Sequence, residues 1–214
     1  MRTVRRSDFE SFDWAGIDSI HRKHLPHVEQ SGAIYFVTFR LADSLPQKQL
    51  KQWRADRSAW MAFHPEPWTE DEAMEYRREF TTRIEKWLDA GSGECVLRNE
   101  VCRSALEITM KHHHGASYDL GDWVIMPNHV HFLIQPLASS CLSEILKGIK
   151  GVSARRINQC LGRTGRVWMD ESFDHIVRSL EQLEKLQTYV ERNPMKAGLR
   201  IGEFSYERRW MVEK

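Results

Sequence analysis

The spacing of apolar positions changes several times along this chain, and each change predicts an element. Residues 33–41 (Ala33-Ile34-Tyr35-Phe36-Val37-Thr38-Phe39-Arg40-Leu41) are dense in β-branched and aromatic side chains, the composition of a strand. Ser44-Leu45-Pro46 ends it. From Gln47 to His64 the pattern is helical, with Trp53 and Trp60 seven residues apart, until Pro65 and Pro67 break it. Thr69 followed by Glu72 has capping-box spacing and opens a helix to about Ala90, which Gly91-Ser92-Gly93 closes. A further helix runs from Asn99 to His114. Tyr118 to Met126 reads as a strand, Pro127-Asn128 as a tight connection, and His129 to Gln135 as the partner strand.

Leu142 to Leu161 is a basic amphipathic helix that ends at Gly162, and Val167-Trp168 and Phe173 to Arg178 are short strands. Ser179 is placed as the N-cap of a helix to about Arg192, with Glu181 and Glu184 in its first turns. Beyond it Pro194 and Gly198 disturb helical geometry, and residues 207–214 fit no single element. Strand, helices, strand, strand, helix, strand, helix is the order of an α+β protein. It fits a split βαβ antiparallel sheet with helices packed on one face. The stretch from about 45 to 100 holds two helices more than that plan needs. We read it as an insertion on the same domain, residues 1–214 forming one unit.

Composition narrows the function classes. The chain has 214 residues, and 41% are hydrophobic, with no apolar run near the roughly 20 residues of a membrane span. The first residues lack an apolar core, so nothing there resembles a secretory signal, and the expected compartment is the cytoplasm. Cys95, Cys102, Cys141 and Cys160 form no CxxC pair, which suits reduced thiols and argues against structural zinc. A net charge of +1 predicts no nucleic-acid partner, but the distribution is uneven. Six basic residues against one acid lie between Cys141 and Met169, whereas seven acids against three arginines lie between Glu66 and Glu85. One face for a polyanion and another for solvent would produce this asymmetry.

The chemistry concentrates in Met126-Pro127-Asn128-His129-Val130-His131-Phe132. On a strand, alternate side chains share a face, so His129 and His131 project together, roughly 7 Å apart along the backbone. Two such imidazoles can grip one metal ion or one phosphate, or one of them can be a structural histidine at a strand end. Farther on, Leu180, Leu183, Leu186 and Val190 form the core stripe of the last helix. Tyr189 and Asn193 share one shoulder of it, roughly 6 Å apart. A phenol is a poor nucleophile at its free pKa near 10, so it needs a more electrophilic phosphorus and a stabilised leaving group. A divalent metal held by His129 and His131, with the Asn193 amide oxygen as third ligand, would meet that need as a Lewis acid. Two imidazoles and an amide favour manganese or a similar ion, with magnesium admitted at cellular concentration. Asn193 precedes Pro194, which disfavours α geometry at that position.

These segments resemble the single-tyrosine transposases of the HUH superfamily, and more closely the REP-associated tyrosine transposases. The resemblance rests on Tyr35 to Leu41, Trp123 to Ile134, Ser143 to Asn158, Val167 to Arg178 and Tyr189 to Leu199. MPNHVH combined with a downstream Y-x3-N-P-x-K-A-G is its most specific part. The resemblance implies a ferredoxin-like antiparallel sheet, His129 and His131 as the metal pair, and Tyr189 as a nucleophile forming a 5′-phosphotyrosine link with single-stranded DNA. Asn193 stands where relatives often carry glutamine. Hairpin-forming repeat DNA is the implied partner, bound by a monomer or a homodimer. Lys147, Lys150, Arg155 and Arg156 would neutralise phosphates, and His175, Arg178 and Lys196 would contact DNA near the site. Phe173, His175 and Arg178 are expected on one side of their strand.

Two rival classes remain in view. A histidine-triad nucleotide hydrolase needs a third histidine at position 133, where this chain has Leu133. A single-stranded nucleic-acid binding protein of the same fold without catalysis would dispense with Tyr189 and the histidine pair, yet all three are present in register, whereas a domesticated relative would keep the nuclease residues for a host role.

Overall fold

The computed structural model describes residues 1–9, 19–22, 26–30, 32–65, 68–137 and 140–213. Its elements in chain order begin with β1 (Arg2–Val4), β2 (Ser19–Arg22), β3 (Pro26–Glu29), β4 (Tyr35–Arg40) and α1 (Gln47–Phe63). They continue with α2 (Glu70–Tyr76), α3 (Thr82–Asp89), α4 (Glu100–Lys111), β5 (Tyr118–Ile125) and β6 (His129–Pro136). The last are α5 (Leu142–Cys160), β7 (Phe173–Ile176), α6 (Leu180–Lys196), β8 (Ser205–Glu207) and β9 (Trp210–Val212). A wide helical turn, Arg77–Thr81, joins α2 to α3.

Local sequence accounts for most of these boundaries. Thr69 and Glu72 form the capping box: the Thr69 N–H donates to Glu72 Oε2 at 2.8 Å and the Glu72 N–H to Thr69 Oγ1 at 3.2 Å. Asn99 caps α4 by accepting from the Val101 N–H, and Ser179 caps α6 by accepting from the Gln182 N–H. The expected break at Pro194 does not occur. α6 runs through it, because a proline this close to the C-terminus forfeits one ladder bond. The Ala197 N–H still reaches the Asn193 carbonyl at 3.0 Å, and the Leu199 N–H the Pro194 carbonyl at 2.9 Å. Asn193 therefore stays one helical turn from Tyr189.

The main sheet has the order β7-β4-β6-β5-β8, all neighbours antiparallel. Its first four strands have the ferredoxin-like arrangement, so the α+β class and antiparallel sheet stand as expected. The helices, however, are divided between the two faces. Tyr35, Val37, Phe39, Phe132 and Ile134 point to the face covered by α4 and α5, through Leu106, Met110, Ile145, Ile149 and Ile157. Ile34, Phe36, Val124 and Leu133 point the other way and pack under Leu183 and Val190 of α6, with Val4 and Trp210. The right-handed crossovers through α4 and α5 bring both to one face, whereas α6 follows the last of the four strands and folds back over the other.

The C-terminal residues, which fit no single element in the sequence, complete that second face. β8 joins the sheet beside β5, and β9 pairs in parallel with β1. Asp122 Oδ1 accepts from the N–H groups of Arg209 and Trp210, at 2.7 and 2.9 Å. Trp210 then lies so close over the sheet that a Cβ on Gly121 would meet its ring at 2.7 Å. Val167-Trp168 makes only an isolated bridge, Leu41 to Trp168. Among the described residues no helix is long and apolar enough to cross a membrane. The four cysteines are free.

Candidate active site

The site is built where β6 begins, on the face covered by α6. Asn128 ends the connection from β5, the Met126 N–H closing it on the His129 carbonyl at 2.8 Å. The strand period then places His129, His131 and Leu133 on one face. The two imidazoles are 1% and 2% exposed, with ring centroids 4.6 Å apart and planes at 78°.

Each ring is held by a second group. The Asn128 amide donates through Nδ2 to the carbonyls of Leu88 and Ser92, at 3.2 and 3.0 Å. Its Oδ1 is therefore the atom facing His129 Nδ1, at 2.7 Å. An amide oxygen only accepts, so His129 carries its proton on Nδ1 and leaves a bare lone pair on Nε2. That Nε2 is buried without a partner. Thr38 Oγ1 is hydrogen bonded to His131 Nδ1 at 2.7 Å. Burial depresses the basicity of both rings, to about 3 for His129, and well below the usual range for His131, where the neighbouring His129 and Lys196 add to the effect. Both are neutral imidazoles at physiological pH, the form that ligates a metal.

α6 supplies the other half. With Leu183 and Val190 buried, Tyr189 falls at the edge of the packed stripe, its hydroxyl 3.4 Å from His131 Nε2. Its ring meets His131 edge to face at 5.1 Å. Phe36 touches the whole assembly: it stacks on His131 at 5.6 Å, meets Tyr189 edge-on at 5.9 Å, and lies 5.4 Å from His175. Burial raises the Tyr189 phenol well above its usual range, and the Glu85 and Asp89 carboxylates raise it further, while the Asn193 amide pulls it down slightly. Asn193 is 1% exposed, and its amide, near enough to the Tyr189 hydroxyl to lower it, has no partner at ordinary hydrogen-bond geometry.

These observations test the donor set. A buried imidazole nitrogen, a buried amide and a second imidazole, all on one face and two of them unsatisfied, are costly in a protein without a ligand. The set fits a divalent cation bound by His129, His131 and Asn193. Among the described residues there is no cluster of three His, Cys, Asp or Glu that could hold a metal ion.

The basic residues divide. Lys196 lies at the site, its ammonium 5.9 Å from the Tyr189 ring centroid and 3.1 Å from Asp89 Oδ2. His175 shares the face of Phe36. β7 stops at Ile176, so Arg178 lies beyond the strand and does not share its alternation; its N–H donates to Gln182 Oε1 at 2.8 Å. The basic side chains of α5 lie elsewhere. Lys147 and Arg155 are exposed on the helix across the sheet from the histidines, and Arg156 donates to Thr109 Oγ1 of α4 at 3.3 Å. Lys150 donates to the Asp170 carbonyl at 2.6 Å.

Asn128, Thr38, Phe36 and Asp89 were absent from the sequence-derived set. The adjacency of Asn128 to the histidine pair was the available signal. Asp89 offered none, because it belongs to the helical insertion.

Comparison with known proteins finds one family model that matches part of the chain. The family model described as "Transposase IS200 like" matches residues 94–193, a stretch that holds His129, His131, Tyr189 and Asn193. Among solved structures, the chain is similar to a REP-associated tyrosine transposase bound to a REP hairpin. The identity is 16%, over 84% of this chain and 76% of that one, with a TM-score of 0.47. It is also similar to a protein of Deinococcus radiodurans R1 described as a transposase, at 15% identity, over 81% of this chain and 98% of that one, with a TM-score of 0.33. No curated protein matches the chain.

Proposed function

We propose that the chain is a single-tyrosine transposase of the IS200-like kind, a divalent-metal-dependent single-stranded DNA endonuclease and strand transferase, a reading supported by the family-model match over residues 94–193. It is read as one nuclease domain with a helical insertion at about 45–100, acting on hairpin-forming repeat DNA. The observation that carries the reading is the Tyr189 hydroxyl at 3.4 Å from His131 Nε2, beside the unsatisfied His129 Nε2 and Asn193 amide.

His129, His131 and Asn193 would hold the cation. Bound there, it would supply Lewis acidity to the scissile phosphate. The protein's own groups do the rest. Burial, reinforced by the Glu85 and Asp89 carboxylates, keeps Tyr189 protonated while no DNA is bound. Phe36 and His131 fix the plane of its ring, so the oxygen is aimed before the strand arrives. The Tyr189 oxygen attacks phosphorus and loses its proton, the bond from phosphorus to the 3′ oxygen breaks, and the 3′ oxygen leaves as a hydroxyl after taking up a proton. One phosphoester bond replaces another, so a 3′-hydroxyl can reverse the attack and join a new strand without ATP. His175 and Lys196 would contact the bound strand near Tyr189, and Arg178 would contact it from the N-terminal end of α6.

Incubation with hairpin-bearing single-stranded DNA and manganese tests the reading. The wild type should form a covalent protein–DNA adduct resolved on a denaturing gel, and Tyr189→Phe should form none. Cleavage by the Phe variant would remove Tyr189 as nucleophile. Hairpin binding without any adduct in the wild type would favour the non-catalytic binding protein.

A further inference from the structure

A cavity of about 330 Å³ lies between the insertion and the site face of the sheet, a volume typical of small-ligand sites. Thr38, Arg40, His131 and Phe173 form its floor, and α1 forms its wall through Trp53, Arg54 and Arg57, with Tyr76 beyond them. Trp53, Arg54, Arg57 and Tyr76 lie outside the stretch 94–193 that the family model matches, whereas His131, Met169, Glu171, Ser172 and Phe173 lie within it.

Its chemistry is that of flat faces and fixed positive charge. Arg57 Nε donates to the Tyr76 hydroxyl at 2.6 Å, and its guanidinium lies 6.0 Å from the Trp53 ring and 5.5 Å from the Tyr76 ring. The Trp53 indole N–H is committed to the Phe80 carbonyl at 3.2 Å, which holds its ring in place. Three guanidiniums (Arg40, Arg54 and Arg57) face two carboxylates, Glu85 and Glu171. Nucleobases stack on aromatic and guanidinium planes, and phosphates pair with guanidinium forks. The cavity reaches the site through Thr38 and His131, which are themselves hydrogen bonded.

We propose that this cavity holds one unstacked nucleotide of the DNA strand, next to the scissile phosphate, with its base against Trp53, Arg57 and Tyr76 and its phosphate on Arg54. The identity of the strand rests on the nuclease reading; the capacity to hold a nucleotide does not. The insertion then acts as a reader of the strand, checking one position that hairpin shape leaves unspecified.

The test is an abasic scan with the full chain. A labelled hairpin with a single-stranded flank is given one abasic site at each flank position in turn, and affinity is measured by fluorescence anisotropy in chelator. One position should weaken wild-type binding at least about tenfold, the scale of one lost base–aromatic stack. Arg57→Ala should bind intact DNA about tenfold less tightly and lose most of its sensitivity to that abasic site. Arg54→Glu, an exposed substitution expected to keep the wild-type melting temperature, should weaken intact DNA comparably. Adduct formation at Tyr189 without any sensitive position overturns the cavity's role and leaves the nuclease reading intact. Position-specific sensitivity without adduct removes the nuclease reading and supports the cavity. Competition by a free nucleoside monophosphate at the strand's own affinity overturns a strand-bound occupant.

Discussion

The two faces of the central sheet are made from the same three strands, residue by residue in alternation, yet they are finished differently. On the face under α4 and α5, the aromatic and aliphatic side chains of β4 and β6 meet other apolar side chains, and Ser153, buried there, is satisfied by Trp168 at 2.9 Å. On the face under α6 the same strands present Thr38, His129 and His131, and His129 Nε2 and the Asn193 amide are left without partners. On the first face only the Trp123 indole N–H is buried without a partner among the described residues. On the second, the unpaired atoms of His129 and Asn193 are gathered at one place, where a ligand would complete them. Stability and function are thus separated by one residue of strand register.

Substitutions that divide the faces should sharpen this contrast. The largest effect is expected at Phe132, fully buried against Phe39 on the first face. Phe132→Ala should cost about 3–5 kcal/mol in urea denaturation, with adduct formation per folded molecule unchanged. A loss of adduct in the folded fraction would show that the faces are coupled. Acid should act through the other face. His129 and His131 titrate well below 6.5 when folded and near 6.5 when unfolded, so below that pH the unfolded chain binds more protons and stability falls. In chelator, urea midpoints should decline from pH 6.5 downward, at up to about 1.4 kcal/mol per pH unit for each histidine. The decline should lessen in His129→Gln, and saturating manganese should oppose it. An unchanged slope in the variant would mean that His129 is not neutral in the fold.

A smaller, more local effect is expected at Asn128. Asn128→Ala frees His129 Nδ1 and the carbonyls of Leu88 and Ser92. Cation affinity measured by calorimetry should fall about 10–100-fold, the range for groups that orient a ligand from behind. An equal loss in Thr38→Val would mark the two supports as equivalent.

Much of this was legible in the sequence where structure depends on local periodicity. The β5–β6 pair, the Thr69 capping box, the Asn99 to His114 helix and the shoulder shared by Tyr189 and Asn193 all follow from spacing. The face covered by each helix does not. The apolar stripe of α5 says only that one side is buried, and so its basic residues were assigned to DNA binding near a site that lies across the sheet. The C-terminal strands escaped because three-residue strands carry no period, and Trp210 takes its place from Asp122, far away in the chain. The helix through Pro194 shows the opposite error: a local rule was applied where the neighbouring ladder bonds tolerate its violation. Asp89 was invisible because only the folded insertion brings it to Lys196.

The order in which the second face is assembled has a consequence in time. Its histidines are made first, but Tyr189 follows later and its closing tryptophan comes at 210, paired with a strand that begins at residue 2. Contacts that span nearly the whole chain form last, because the intervening loop must be closed before they add any stability. While the chain is growing from its N-terminus, His131 has no tyrosine opposite it. The pairing of Tyr189 with His131 therefore arises only in a finished molecule, and an interrupted product of synthesis carries half of the site and none of its chemistry.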